Sequence, residues 1–104
     1  MHAFAALGDD TRRRLLETIS ESEQSVNDLV AKFAISQPAV SQHLRVLRDA
    51  GLVDVRAEAQ RRYYRVRPEG FRVIELWLER YRRQVARSLD ALDRHLDAME
   101  EQSP

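Results

Sequence analysis

Apolar residues recur at helical spacing through the first third of the chain and predict short helices separated by polar connections. A first helix is predicted from Ala3 to Leu7, ended by Gly8. Asp9 or Asp10 can cap a second helix through Ser20, because a carboxylate there accepts the free amide protons of the first turn. The residues expected to face inward on this second helix are Leu15, Leu16 and Ile19.

Two further helices are predicted beyond the polar linker 21–24. Ser25 with Asp28 three residues later matches a capping box, which favours a helix start at this point. A tight connection at residues 34–36 leads to the next helix, for which Ser36 is a natural N-cap. The apolar residues of the helix before this connection are Val26, Leu29, Val30 and Phe33. Two helices joined by so short a turn are typical of a helix-turn-helix motif.

The helix that follows Ser36 has an apolar stripe on one side and polar residues on another. Val40, Leu44 and Leu47 follow the i, i+4, i+7 spacing of a buried face. The polar face carries Gln37, Ser41, Arg45 and Arg48, with Gln42 further round. A helix that buries one side and offers such side chains on the other suits the DNA major groove. The spacing alone fits an ordinary core helix with a solvated outer face equally well.

The periodicity changes after Gly51, which suits the left-handed position beyond a helix end. Val53 and Val55 alternate with charged residues at the spacing of a strand, and a second strand is predicted over residues 61–67, ended by Pro68. Arginines are dense on this predicted hairpin. Beside a helix that reads DNA, they suit contacts with the phosphate backbone.

The charge distribution fits this interpretation better than the total charge does. The 104 residues are 43% hydrophobic and 33% charged, which predicts one soluble domain over residues 1–104. The net charge is +0, yet residues 45–67 hold seven arginines against three acidic residues. Residues 68–104 hold six arginines against eight acidic residues. The middle of the chain is therefore basic and the C-terminal part mildly acidic, although an ordinary solvated surface would also account for these charges.

Several classes of protein are excluded by what the sequence lacks. There are 0 Cys, which rules out disulfides and thiolate metal sites. No apolar run is long enough to cross a membrane and the N-terminus lacks a signal-peptide pattern, so we expect a cytoplasmic protein. We expect no enzyme activity, because the sequence shows no glycine-rich phosphate loop and no convincing set of nucleophile, histidine and carboxylate.

Apolar residues of the C-terminal third follow a nearly heptad pattern with one interruption and predict a helix over residues 68–102. This seam consists of Phe71, Ile74, Leu78, Tyr81, Val85, Leu89, Leu92, Leu96 and Met99. A chain this small cannot readily cover so long a stripe. We expect part of it to pack on the helix 3–7 and the remainder to pair with a second copy about a two-fold axis. The predicted dimer interface consists of Phe4, Leu78, Tyr81, Val85, Leu89, Leu92 and Leu96.

Three segments, in this order and spacing, carry a family resemblance: ALGDDTRRRLL at 6–16, SQPAVSQHLRVLRDAGLV at 36–53 and RRYYRV at 61–66. Together they closely resemble the ArsR/SmtB family of bacterial winged-helix repressors. The resemblance implies a mainly α winged helix-turn-helix, with a two-stranded hairpin and a long C-terminal dimerisation helix. It also implies a homodimer that binds a palindromic operator, usually to repress its own gene or adjacent genes.

The resemblance assigns roles to individual residues of the predicted recognition helix and wing. Bases are read or approached by Gln37, Ser41, Gln42 and His43. Phosphates are held by Ser36, Arg45, Arg56, Arg61, Arg62 and Arg65. The expected partners are double-stranded operator DNA and a second copy of the chain, with a small-molecule effector as an open addition. A winged-helix module that binds another protein is the alternative, and only DNA binding predicts a steep dependence on salt.

The predicted hairpin departs from the family pattern at its tip. The turn holds Ala59 and Gln60, where family members often carry a glycine. A residue with a side chain is less free than glycine to adopt the backbone conformations of tight turns. We therefore expect a longer or differently shaped turn.

The metal sites of the family have no clear counterpart in this sequence. Metal-sensing members carry cysteines at the positions of Ser25 and Asn27, neither of which is a good zinc or arsenic ligand. We therefore predict no metal site and no cofactor. The alternative is a metal-responsive repressor in which His2 and His95 meet across a dimer and bind zinc with a neighbouring aspartate.

Overall fold

The structure is a computed structural model that describes residues 3–101. As predicted, it is mainly helical with a two-stranded antiparallel hairpin and a long C-terminal helix. Its helices are α1 (Ala3–Ala6), α2 (Asp10–Glu21), α3 (Val26–Lys32), α4 (Gln37–Asp49) and α5 (Arg72–Glu101). Its strands are β1 (Val53–Glu58) and β2 (Arg61–Val66), and a 3-10 turn, Pro68–Phe71, precedes α5. The chain divides into two compact units, one ending at Val73 and the other beginning at Ile74.

Polar residues placed just before three of the helices define where these helices begin. The Asp9 carboxylate accepts a backbone amide of the first turn of α2 at 3.0 Å. Ser25 and Asp28 form the predicted capping box of α3, with N–O distances of 2.9 and 3.1 Å. The Ser36 hydroxyl accepts the Ala39 amide at 3.3 Å in the first turn of α4. Each cap satisfies an amide that no helical carbonyl reaches.

The core of the first unit is formed by the apolar faces of α1 to α4 and by the start of β1. It buries Ala3, Ala6, Leu15, Leu16, Ile19, Leu29, Val40, Leu44, Leu47, Leu52 and Val53. The inner faces predicted for α2 and α4 are confirmed. On α3 only Leu29 is buried, whereas Val26, Val30 and Phe33 are half-buried. With only seven residues, α3 presents fewer than two full turns to the core.

Of the two expected forms of the hairpin tip, a longer or a differently shaped turn, the structure contradicts only the longer one. Val53 lies opposite Val66 and Glu58 opposite Arg61, which leaves a turn of only two residues. The expectation of a longer turn is therefore wrong. The unusual feature is the backbone conformation, because Ala59 has φ +55°. This is the left-handed region, which glycine adopts more readily than alanine.

Two glycines meet where the hairpin leads towards α5. Gly51 ends α4 with φ +77°, in the left-handed conformation predicted for it. Gly70 packs against Gly51 so closely that an added Cβ would overlap the Gly51 carbonyl oxygen and lie 2.7 Å from the carbonyl carbon. The Arg67 amide also donates to the Leu52 carbonyl at 2.9 Å. Position 70 therefore requires glycine unless the backbone moves.

The C-terminal helix begins later than predicted. The sequence predicts a helix over residues 68–102, whereas α5 spans Arg72–Glu101 after the 3-10 turn. Pro68 lacks an amide proton, and Gly70 allows the close turn described above, so the first four residues of the predicted range form the turn. Residue 102 lies outside the described residues. The organisation of residues 1–104 as a single domain stays a prediction.

The linker between α2 and α3 makes a contact that the hydrophobic pattern does not reveal. Gln24 is buried and exchanges two backbone hydrogen bonds with Tyr64 of β2, with N–O distances of 3.1 and 2.7 Å. Its side-chain oxygen accepts a hydrogen bond from the Lys32 ammonium group at 2.9 Å. Gln24 therefore ties the hairpin to α3.

Candidate nucleic-acid interface

The outer face of α4 presents polar side chains to solvent. Its stripe of Val40, Leu44 and Leu47 is fully buried, which turns the other side of the helix outward. The exposed residues of α4 are Gln37, Pro38, Ser41, Gln42, Arg45, Arg48 and Asp49. Amide, hydroxyl and guanidinium groups are the donors and acceptors that pair with base edges and phosphate oxygens. The geometry of α4 therefore suits a recognition helix.

Ser36 at the start of α4 can take part in DNA binding while it caps the helix. Its hydroxyl oxygen accepts the Ala39 amide at 3.3 Å, and the residue is exposed. The hydroxyl proton is not used by this cap and can be donated to a phosphate oxygen. A phosphate placed there also lies at the positive end of the helix dipole.

His43 is set apart from the other residues predicted to read bases. Its ring is half-buried, and Nδ1 is buried with no hydrogen-bond partner among the described residues. The main cause of the lowered pKa of Asp9 is a hydrogen bond from the Arg12 amide, and the charge of a protonated His43 adds to it. Nδ1 is therefore turned away from solvent, and a contact of His43 with a base stays a prediction.

The wing tip and the helix-turn-helix line an open groove of about 480 Å³. The start of α3 and Gln37 of α4 form one side, and Arg61 and Arg62 form the other. Asp28 also lines this groove. The pKa of Asp28 is lowered mainly by the hydrogen bond from the Ser25 amide, with a smaller contribution from the charge of Arg61. The fold thus brings one predicted base-reading residue and two predicted phosphate contacts to one cleft.

The predicted phosphate contacts differ in whether their guanidinium groups are already paired. Those without a hydrogen bond or ion pair among residues 3–101 are Arg45, Arg61 and Arg62. Arg56, in contrast, contacts one carboxylate oxygen of Glu23 at 2.8 Å from Nε and 2.7 Å from Nη2. Arg65 donates to Asp54 at 2.6 Å across the hairpin. Positive charge is therefore available at the wing tip and largely neutralised at the base of the wing.

These ion pairs shift the pKa values of Glu23, Arg56 and Arg65. The hydrogen bond from Arg56 lowers the pKa of Glu23, and the same bond raises the pKa of Arg56. The hydrogen bond to Asp54 likewise raises the pKa of Arg65. Both shifts of the Glu23–Arg56 pair favour its charged form, as does the shift of Arg65.

Known regulators share both the sequence and the fold of this chain. The sequence profile described as bacterial regulatory protein, arsR family, matches residues 9–55. The HTH-type transcriptional regulator Rv2034 of Mycobacterium tuberculosis is 39% identical over 79 residues, which cover 76% of this chain and 74% of that protein. The chain belongs to the ArsR family.

A second relative and a solved structure extend this ArsR-family assignment. The transcriptional repressor SdpR of Bacillus subtilis is 32% identical over 63 residues, which cover 61% of this chain and 70% of that protein. The ArsR-like transcriptional regulator from Rhodococcus sp. RHA1 matches with a TM-score of 0.75 and 28% identity, over 93% of this chain and 89% of that chain. The protein is therefore a winged helix-turn-helix, DNA-binding transcriptional regulator of the repressor type, and not an enzyme.

Ser25 and Asn27 correspond, by the family resemblance, to the cysteine positions of metal-sensing members. The Ser25 hydroxyl caps α3 by accepting the Asp28 amide, and Asn27 is exposed. His95 is exposed on α5, whereas His2 lies outside the described residues. Within residues 3–101, no three histidine or acidic side chains are grouped as a metal ion requires. The histidine site across a dimer stays a hypothesis.

The predicted dimer residues are exposed in the single chain. Their exposed fractions range from 39% for Phe4 to 55% for Leu89. No residue of Arg72–Glu101 is buried, and the rings of Trp77 and Tyr81 stack with centroids 5.2 Å apart. Among the described residues, no helix combines the length and apolar character needed to cross a membrane. The seam of α5 is thus an apolar surface on an otherwise charged helix.

Sequence reasoning missed Glu23 and Gln24, which contact the wing. Asp54, Arg56 and Glu58 alternate along β1, so a strand pattern could have placed all three on one face. That pattern could have indicated that Arg56 is surrounded by acidic residues. Nothing in the local pattern of the linker indicates that it reaches the hairpin.

Proposed function

We propose that this ArsR-family protein is a homodimeric repressor that binds a palindromic operator, including one at its own gene. The exposed polar face of α4 and the unpaired arginines of the wing tip carry this proposal, since Gln37 at the start of α4 borders the same groove as Arg61 and Arg62. Two such faces related by a two-fold axis would meet two half-sites about one helical turn (~34 Å) or a multiple of it apart.

In this proposal, one group of side chains reads bases and another group binds phosphates. Gln37, Ser41 and Gln42 enter the major groove, where their amide and hydroxyl groups can distinguish base pairs. The phosphate contacts come from Ser36, Arg45, Arg61 and Arg62. These side chains fix the position of α4 on the duplex and supply the salt-dependent part of the affinity.

The dimer is proposed to form through the seam of α5. Leu78, Tyr81, Val85, Leu89, Leu92 and Leu96, together with Phe4 of α1, provide exposed apolar surface. Residues 80–87 carry four arginines and no acidic residue, whereas residues 88–101 carry five acidic residues and one arginine. An antiparallel pair that crosses near Leu89 would lay each basic part beside the acidic part of the other copy. A parallel pair would place like charges side by side, which is unfavourable.

The first experiment is to map the genomic sites that the protein occupies and to measure binding to the recovered duplex by fluorescence anisotropy at several salt concentrations. We expect preference for the palindrome over a scrambled duplex and a steep slope of log affinity against log salt. The autorepression proposal expects the promoter of its own gene among the sites. Binding that is insensitive to salt and sequence would contradict the proposed function and favour a protein-interaction module.

Base reading is tested by Gln37→Ala and Ser41→Ala. Each should lose on the order of 1–3 kcal/mol of discrimination at particular base pairs. Arg94→Ala is a matched surface control, because Arg94 lies on the side of α5 opposite the seam. If the α4 variants keep the full operator preference of the Arg94 control, the recognition-helix assignment is wrong.

The metal-responsive alternative is tested on the same protein–DNA complex. We expect stoichiometric zinc, cadmium or arsenite to leave the complex intact, because Ser25 and Asn27 lack the soft thiolates that these ions prefer. Release by micromolar metal that is lost in His2→Ala or His95→Ala would instead assign a sensing site to the terminal histidines. Screening small molecules for release of the duplex tests for an effector.

A further inference from the structure

The linker between α2 and α3 is attached to both strands of the wing. Gln24 and Tyr64 exchange backbone hydrogen bonds of 3.1 and 2.7 Å, which attaches the linker to β2. Glu23 forms the second attachment, because its carboxylate lies 2.8 and 2.7 Å from two nitrogens of Arg56 on β1. Two neighbouring linker residues therefore hold two neighbouring strands.

Each of the three guanidinium nitrogens of Arg56 contacts a carboxylate of the protein. Besides Glu23, its guanidinium group contacts the Glu58 carboxylate at 3.1 Å and lies 5.1 Å from the centre of the Tyr63 ring. Arg56 and Tyr63 are directly opposite each other in the hairpin, and Tyr63 follows Arg62 in the chain. The attachment of β1 therefore lies beside the part of β2 that leads to the wing tip.

The charges around Arg56 make this side of the wing unfavourable for DNA. Asp54 and Glu58 share a strand face with Arg56, and Glu23 approaches the same face. A phosphate brought to Arg56 would meet these carboxylates, and the arginine would have to leave its partners to bind it. Arg62 lies opposite Ala57, on the other face of the hairpin, and lines the groove next to α4. Arg61 lies opposite Glu58, on the same face as Arg56, and lines this groove from the wing tip.

We propose that Glu23 is a positioning residue for DNA binding: by holding Arg56, it fixes the wing so that Arg61 and Arg62 lie beside α4. Arg56 is then an anchor of the wing and not a phosphate contact. This inference rests on the proposed DNA-binding function and goes beyond it, because it assigns affinity for the operator to a residue that does not touch DNA.

The test compares Glu23→Gln with Asp54→Asn, each alone and combined with Arg62→Ala. Both single variants remove one negative charge, so they change the long-range attraction of DNA alike. Only Glu23→Gln breaks the attachment of the linker to β1, since Asp54 pairs with Arg65 within the hairpin at 2.6 Å. Operator affinity and its salt slope are measured for each variant, together with amide hydrogen exchange of the free protein.

Glu23→Gln should weaken operator binding by about two- to fivefold per protomer, as expected for one partly exposed ion pair. The salt slope should fall by less than one unit per protomer, because Arg62 is displaced from the phosphate and not removed. Asp54→Asn should bind as tightly as the wild type or more tightly. The loss caused by Arg62→Ala should be smaller in the Glu23→Gln background, since the wing tip is already displaced there.

The inference is overturned if Glu23→Gln binds as tightly as Asp54→Asn, which would show that the attachment does not position the wing. It is also overturned if Arg56→Gln lowers the salt slope by about one unit per protomer more than Glu23→Gln does, because Arg56 would then be a phosphate contact. Faster exchange of the hairpin amides in Glu23→Gln, but not in Asp54→Asn, tests the attachment without DNA. Failure of the proposed function would appear differently, as wild-type protein that binds no duplex.

Discussion

The two units of this ArsR-family regulator place their apolar residues in opposite environments. In the first unit, Leu15 and Leu44 are 0% exposed, whereas Leu89 and Leu92 of α5 are 55% and 51% exposed. Full burial of such a side chain is worth roughly 1.5–3 kcal/mol, so exposing a whole seam leaves a large amount of stabilisation unused. The first unit therefore buries its own core, whereas burial of the α5 seam, as proposed, requires a second copy of the chain.

The largest effect is expected from a charge in the exposed seam. Leu89→Glu would remove two buried leucines from a two-fold interface, at roughly 1.5–3 kcal/mol each, and would bring two carboxylates together. We expect the dimer dissociation constant to rise by at least a factor of about 100 in analytical ultracentrifugation. Arg94→Glu is the control on the opposite side of α5. Equal dimerisation of both variants would place the interface elsewhere and would contradict the proposal that a second copy covers the seam of α5.

The corresponding change in the first unit should act on folding instead of assembly. Leu44 is fully buried on α4, so Leu44→Ala leaves a cavity and should reduce the free energy of unfolding by about 2–5 kcal/mol. Urea denaturation measures the loss, and sedimentation should still show dimers in the absence of urea. A loss well below 1 kcal/mol would mean that α4 is not held by the core described here.

The elements of the first unit could be predicted because local chemistry determines them. The caps at Asp9, Ser25 and Ser36 and the stripe of α4 follow rules that act within a few residues. The features that the sequence did not predict depend on residues far apart in the chain. The contact of Glu23 with Arg56 and the contact of Gly51 with Gly70 are of this kind.

A smaller loss of stability is expected at one of these distant contacts. Gly70→Ala places a Cβ against the backbone of Gly51, and relief of this overlap should cost about 1–3 kcal/mol of folding free energy. Gly8→Ala is a milder control, because its added Cβ would lie 3.2 Å from the Ala5 carbonyl oxygen. Thermal unfolding compares the two variants. Equal stability of both variants would show that the backbone around position 70 can shift at little cost in free energy.

The candidate interface was predictable only in part. The exposed positions of Gln37 and Ser41 follow from helical spacing, as does the outward direction of Arg45. The roles of the wing arginines could not be separated in the same way, because all of them lie in one basic segment. The pairing of Arg56 and Arg65 depends on strand register and on a linker residue, neither of which composition reports.

The smallest effect is a gain of stability at the wing tip. Ala59 has φ +55°, a conformation that is unfavourable by roughly 1–2 kcal/mol for residues other than glycine. Part of the stability gained by a glycine at position 59 is offset by the greater conformational freedom of glycine in the unfolded chain. Ala59→Gly should therefore raise the free energy of unfolding of the first unit by about 0.5–1 kcal/mol in urea, without changing dimer affinity. A destabilised variant would contradict the left-handed turn.

Whether a dimer binds the operator with its wing tips on phosphates is tested most directly by the salt dependence of operator binding. The wild type is compared with Arg62→Ala. A dimer that uses this arginine once per half-site should lose about two units of slope on the full palindrome and about one on an isolated half-site. This result would support the wing tip as a phosphate contact and the dimer as the binding species. An Arg62→Ala protein with unchanged affinity and unchanged slope on both duplexes would contradict a role of the wing tip in phosphate binding.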